Sequence, residues 1–193
     1  DSTKTLDVDG GTIKLDGNYP VGTQNVALGD GAADALTSGN YNVAVGHNAA
    51  GSLTSGSNSA MIGNAAGAAT TTGGANVAVG DIALTSNTTG ANNVAIGYAS
   101  LLLNTTASNN TAVGYQAAYS NQTGTQNTFL GIQSGYSNTT NYNTFLGAYT
   151  GYSNTTGVAN AVVGGPNTAN PTFYYNTTGS YNTVLGSGAL SAN

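Results

Sequence analysis

One glycine recurs along this chain at a fixed interval, and that interval restricts the fold more than any other feature. Runs of the form Asn-x-x-(Val/Ile/Leu)-Gly close at Gly29, Gly46, Gly63, Gly80, Gly97, Gly114 and Gly131, each 17 residues apart. Gly147 follows after 16, Gly164 after 17 and Gly186 after 22. A fixed period of this length is the mark of a repeat architecture. It is too short for two helices and their turns. It fits one coil of a β-solenoid, and we expect two short strands and two turns per coil.

The columns of the repeat support that expectation. One residue before each Gly stands Leu28, Val45, Ile62, Val79, Ile96, Val113, Leu130, Leu146, Val163 or Leu185. Val94 and Ile96 are two apart, so they share one strand face. Four residues before each Gly stands Asn25, Asn42, Ser59, Asn76, Asn93, Asn110, Asn127, Asn143, Asn160 or Asn182. Such a column either forms a side-chain ladder between coils or reflects the turn preference of Asn. A Thr-(Ser/Thr)-Gly step separates repeats, as at Thr37-Ser38-Gly39 and Thr88-Thr89-Gly90. The expected fold is all-β: a parallel β-solenoid or β-roll of about ten 17-residue coils. Stacked strands at their usual spacing make it on the order of 50 Å long. Residues 1–24 read as a short N-terminal fibre segment and 25–193 as the repeat domain, with an irregular insertion at 165–175.

Both faces of the repeated strand are apolar. The middle column runs Ala27, Ala44, Met61, Ala78, Ala95 and Ala112, then Phe129, Phe145, Val162 and Val184. A strand covered on both sides reads this way. One face can pack inside the coil, and the other needs a partner, since a long apolar stripe is rarely left wet. We expect Ala27, Ala44, Ala78, Ala95, Ala112, Phe129 and Phe145 to pack against neighbouring chains of a homotrimer.

These residues resemble a known family. Asn93-Val94-Ala95-Ile96-Gly97-Tyr98-Ala99-Ser100 is similar to the head repeats of trimeric autotransporter adhesins. Asn110-Thr111-Ala112-Val113-Gly114-Tyr115-Gln116-Ala117 also looks like repeats in bacteriophage tail fibres and other virion proteins. Leu6-Asp7-Val8-Asp9-Gly10-Gly11-Thr12-Ile13-Lys14 resembles short fibre segments that precede such repeats. The resemblance implies a trimeric shaft or head of a virion appendage that attaches to a host surface, with a bacterial adhesin head as the alternative. It places the chain on a virion or a cell surface.

Composition narrows the function further. Charged residues are 5% of the chain, against about 25% in ordinary domains. The last charged side chain is Asp81. With two Lys, no Arg and a formal charge of −5, nucleic-acid binding is not expected. The longest weakly polar run, Val94 to Leu103, falls short of the roughly 20 residues of a spanning helix, so no membrane insertion is expected. There is no Cys, and hence no thiolate metal site. The chain starts at Asp1 and ends within a further repeat at Ser187-Gly188-Ala189-Leu190, which reads as a fragment of something longer.

Catalysis needs convergent ionisable groups. His47 is the only His and shares a column with Asp30, Asn64, Asp81, Tyr98 and Tyr115, so it reads as a variable turn position. Asp7, Asp9 and Asp16 lack the rest of a calcium loop. We expect no enzyme activity, no cofactor and no metal. An ice-binding solenoid is the alternative of another class, which an ice-recrystallisation assay separates. The Thr pairs here sit side by side next to a Gly, whereas a flat array needs Thr-x-Thr on one face. Six Asn-x-Thr sequons share one column, at Asn87, Asn104, Asn121, Asn138, Asn154 and Asn176, with Asn109 out of register. We read them as a by-product of the turn. Finally, ten of the twelve Tyr and all three Phe lie at or after Tyr98. The long step before Gly186 holds two Pro and then Phe173, Tyr174 and Tyr175. Loops leaving a rigid scaffold carry binding residues, so we expect these three aromatics to protrude towards a cell-surface carbohydrate or a neighbouring fibre segment.

Overall fold

A computed structural model describes residues 24–165 and 172–190. It is a parallel β-solenoid with one strand per repeat: β1 Val26–Leu28, β2 Val43–Val45, β3 Ala60–Ile62, β4 Val77–Val79, β5 Val94–Ile96, β6 Thr111–Val113, β7 Thr128–Leu130, β8 Thr144–Leu146, β9 Ala161–Val163 and β10 Thr183–Leu185. The strands form one ten-stranded sheet in chain order. Register follows the repeat, so Val77 pairs with Val94, Ala78 with Ala95 and Val79 with Ile96. The expected residues 1–24 segment lies, but for Gln24, outside the described residues.

The second strand expected in each coil is absent from the described residues; turns take its place. Their backbone explains why. Among the described residues, twenty-four that are not glycine have positive φ. They fall in three columns: two after the glycine (Asn48, Ala65, Ile82), four after it (Ala50, Leu84, Leu101), and just before the Asn (Asn58, Ala75, Asn92). Each such residue costs about 1–2 kcal/mol. The left-handed turn aims its N–H along the stack, where it finds a carbonyl of an adjacent coil. Asn48 donates to Asp30 at 2.7 Å, Leu84 to Ser100 at 2.9 Å and Ala75 to Ser57 at 2.8 Å. The backbone is thus bonded between coils around the turns as well as along the strands, which offsets the strain.

The Asn column is a ladder. The Asn93 N–H donates to Asn76 Oδ1 at 2.9 Å, and its own Nδ2 donates to the Ala107 carbonyl at 2.9 Å. Its Oδ1 accepts the Asn110 N–H at 3.0 Å. The side chain therefore ties its coil to the following one, and the backbone N–H of the same residue ties it to the preceding one. Ser59 fills the same place: it donates its N–H to Asn42 Oδ1, and its hydroxyl accepts the Asn76 N–H.

The core lies between the strand and the turns. Ala44, Ala78, Ala95, Ala112, Phe129 and Phe145 are fully buried within a single chain. This corrects the assignment of the Ala27/Ala44/Ala78/Ala95/Ala112/Phe129/Phe145 column to a trimer seam: it points into its own coil, and only Ala27, in the first strand, is partly buried. The coil is thin, so its interior admits small residues on one side when the other is large. Ala95 faces a coil that carries Leu101, whereas Phe129 is matched by Gly135, Phe145 by Gly151 and Met61 by Gly67. A Cβ on any of those three glycines would overlap the facing side chain. A charge at Ala95 would therefore break the fold of one chain rather than an interface.

Candidate functional site

With the middle column turned inward, the outer face of the sheet belongs to the first and third strand positions. Val26, Leu28, Ile62, Ile96, Leu130, Val163 and Leu185 are exposed there. They run the length of the described fold in one line, because every coil repeats the same register. Towards the C-terminus the first position changes from Val to Thr, at Thr111, Thr128, Thr144 and Thr183, while the third stays aliphatic. This is a regular apolar surface, and it lies on the opposite side of the strand from the Ala column expected to face a partner.

A second regular surface is aromatic. Tyr119, Tyr136, Tyr152 and Tyr174 stack in succession with ring centroids 5.0, 4.9 and 4.8 Å apart and nearly parallel planes. Tyr98 and Tyr115 stack at 5.3 Å in another column. The spacing is that of stacked strands; position five after the glycine supplies Tyr119, Tyr136 and Tyr152, and Tyr174 joins them after the long step. Within it the ring faces cover one another, and each tyrosine is half-buried. The signal was present in sequence as Tyr119 and Tyr136, 17 apart.

The three aromatics expected to protrude separate. Phe173 is fully buried and packs on Phe145 with centroids 6.0 Å apart, so it is a core residue. Tyr174 ends the Tyr stack. Only Tyr175 is exposed, with its ring edge-on to Tyr174. The cause is register: Thr172 already occupies the buried position three after the glycine, and its Oγ1 donates to the Gly186 carbonyl at 2.9 Å. The five extra residues of the long step therefore lie between Gly164 and Thr172, ahead of the aromatics. Residues 166–171 of the expected loop lie outside the described ones.

The polar columns are committed to the stack. The Thr54, Thr71 and Thr88 hydroxyls donate to carbonyls of the following coil at 2.9–3.1 Å. His47, Asn64 and Asp81 form an exposed chain, with His47 Nδ1 3.1 Å from Asn64 Oδ1 and Asn64 Nδ2 donating to Asp81 at 2.8 Å. Among the described residues no three His, Cys, Asp or Glu side chains are grouped to hold a metal ion, and no helix is long and apolar enough to cross a membrane. Asp7, Asp9 and Asp16 lie outside the described residues.

Tyr136 and Tyr152 have pKa values raised above the ordinary tyrosine value, first by burial and then by neighbouring tyrosines. A raised folded-state pKa adds stability that is full below the unfolded value, near 10, and is lost as pH climbs through the folded one. Melting temperature is therefore expected to be level from about pH 5 to pH 9 and to fall above about pH 10. A thermal melt series across pH checks this, and a large fall inside the level window would contradict it. In comparisons with known proteins, no family model, no curated protein and no solved structure matches this chain.

Proposed function

We propose that this chain is a structural segment of a trimeric fibre, the shaft or head of a virion or cell-surface appendage that attaches to a host surface, and that it is not an enzyme. The observation that carries the reading is the exposed aliphatic line on the outer sheet face. In a solitary chain that line would stand in water for the whole length of the sheet, and long apolar stripes of this kind mark interaction surfaces. Copies of the same chain suit it, because a surface that repeats with the coil is matched along its length by another with the same rise. The trimeric count follows the likeness to adhesin heads and tail-fibre repeats. The sparse charge supports a passive scaffold, since catalysis needs convergent ionisable groups. Attachment through a carbohydrate would fall to Tyr175 and to the half-buried Tyr stack beside it, since a tyrosine gives a sugar an apolar surface and a hydroxyl.

The test is a pair of charges on the outer face, Ile62→Asp with Ile96→Asp. Both side chains are partly exposed in the single chain, so the coil itself should lose no more than about 1 kcal/mol. Assembly should be lost, together with binding to host cells, while circular dichroism keeps the β signature. An assembled variant that binds like the parent would reject the outer face as the interface.

A further inference from the structure

The seven Asn-x-Thr sequons are not equivalent in the fold. Asn87, Asn104, Asn121, Asn138, Asn154 and Asn176 share one column and are all fully buried. Their Nδ2 atoms are all spent on internal hydrogen bonds and form a second ladder, interrupted on either side of Asn121, where Asn104 Oδ1 and Asn121 Oδ1 have no partner. Asn104 Nδ2 donates to Asn87 Oδ1 at 2.8 Å and to the Ala107 carbonyl at 3.2 Å. Asn154 Nδ2 donates to Asn138 Oδ1 at 2.7 Å, and Asn176 Nδ2 to Asn154 Oδ1 at 2.7 Å. Asn121 Nδ2 donates to the Gly124 carbonyl at 2.8 Å and Asn138 Nδ2 to the Thr140 carbonyl at 2.9 Å. Asn109 differs. It is exposed, and it sits in a left-handed turn (φ 62°) just before the buried Asn110.

N-linked glycosylation acts on that same nitrogen. The bond from Nδ2 to the sugar C1 forms as the bond from C1 to a lipid-linked pyrophosphate breaks; the lipid pyrophosphate departs and the amide proton passes to base. The product has a branched, hydrated oligosaccharide where the ladder has one buried hydrogen-bond donor. No path leads such a group out between coils whose backbones are bonded to one another. In the folded state the six nitrogens are out of reach, but transfer to an emerging, unfolded chain meets no such barrier.

We propose that the folded chain presents only Asn109 to N-glycan transfer, and that transfer at the six ladder positions is incompatible with the solenoid. The native fold then forms only where oligosaccharyl transfer does not precede folding, which fits a cytosolic assembly route and excludes glycosylating secretion as a productive one.

The experiment sends the full chain, behind a cleavable export signal, through a eukaryotic secretory pathway, and compares it with the same chain made in a bacterial cytosol. Readouts are site-resolved glycan mass and resistance to protease. The unmodified sequence should carry glycans on ladder asparagines and lose its protease resistance. An inhibitor of lipid-linked oligosaccharide synthesis should restore that resistance with no substitution made. A variant with Val at positions 89, 106, 123, 140, 156 and 178 removes the six sequons; five of the replaced Thr are exposed, and Thr140 gives up a bond to the Gly157 carbonyl. It should fold with one glycan, on Asn109. Protease-resistant chain with glycans on the ladder, native chain with the ladder unmodified despite active transfer, or inhibitor-treated chain that remains protease-sensitive would each overturn the proposal.

Discussion

Replacing Gly114 with Ala is expected to lower stability by about 3–5 kcal/mol, the sum of two separate penalties. Gly114 has φ +141°, a conformation that L side chains rarely adopt. Its new Cβ would also overlap the carbonyl oxygen of Gly131 and lie 2.6 Å from that carbonyl's carbon. The obstacle is backbone, and it is held in place: the Gly131 N–H donates to Val113 at 2.8 Å. Neither coil can yield without breaking the stack. In a nearest-neighbour array such a defect uncouples the two halves, so the melt should split or move sharply downwards. Gly165→Ala is the control, since nothing lies within 4 Å of its Cβ; it should stay within about 0.5 kcal/mol. Gly186→Ala separates the two penalties, because it keeps a positive φ (+123°) with open space around the Cβ. Thermal or denaturant unfolding of the three variants measures all of this, and equal effects at Gly114 and Gly165 would contradict it.

The second large effect concerns how each coil fills its interior. Phe129→Ala removes a fully buried ring and should cost about 3–5 kcal/mol. The facing position is Gly135, which has φ +60° and whose Cβ would overlap the Phe129 ring. The coil two repeats earlier solves the same problem in reverse, with Ala95 on the strand and Leu101 at the facing position, where φ is +50°. Adding Gly135→Leu to Phe129→Ala copies that solution. The double variant should regain more than half of the lost stability, whereas Gly135→Leu alone, with Phe129 in place, should be overpacked and destabilised by about 1–3 kcal/mol. A cycle of these variants measures the coupling. Additive losses would mean that strand and turn columns do not share one space.

That exchange of volume also explains what could be read in the chain without coordinates. The period, the Gly column and the position of each strand were legible, because Asn-x-x-(Val/Ile/Leu)-Gly recurs with little change. The direction of the strand faces was not. Val94 and Ile96 on one side and Ala95 on the other are all apolar, so alternation alone names no inside. The deciding signal sits six residues away, in the inverse sizes of Ala95/Leu101, Met61/Gly67, Phe129/Gly135 and Phe145/Gly151. The missing second strand was hidden for a different reason. Most left-handed turn positions hold Ala, Asn, Gln, Leu or Tyr, with Gly at only a few such as Gly67, Gly135 and Gly151, and the inter-coil hydrogen bonds offset the strain of those conformations. The aromatics at 173–175 are not legible as core and stack residues because the long step hides the register, which the chain regains by Thr172.

The outer aliphatic line is the point on which the functional account turns, and the mass of the protein in solution tests it most directly. Light scattering coupled to size exclusion should give a single species at three times the 18.9 kDa chain mass, unchanged on dilution through the micromolar range. A monodisperse species at 18.9 kDa would leave the Val26-to-Leu185 face uncovered and contradict the trimeric fibre.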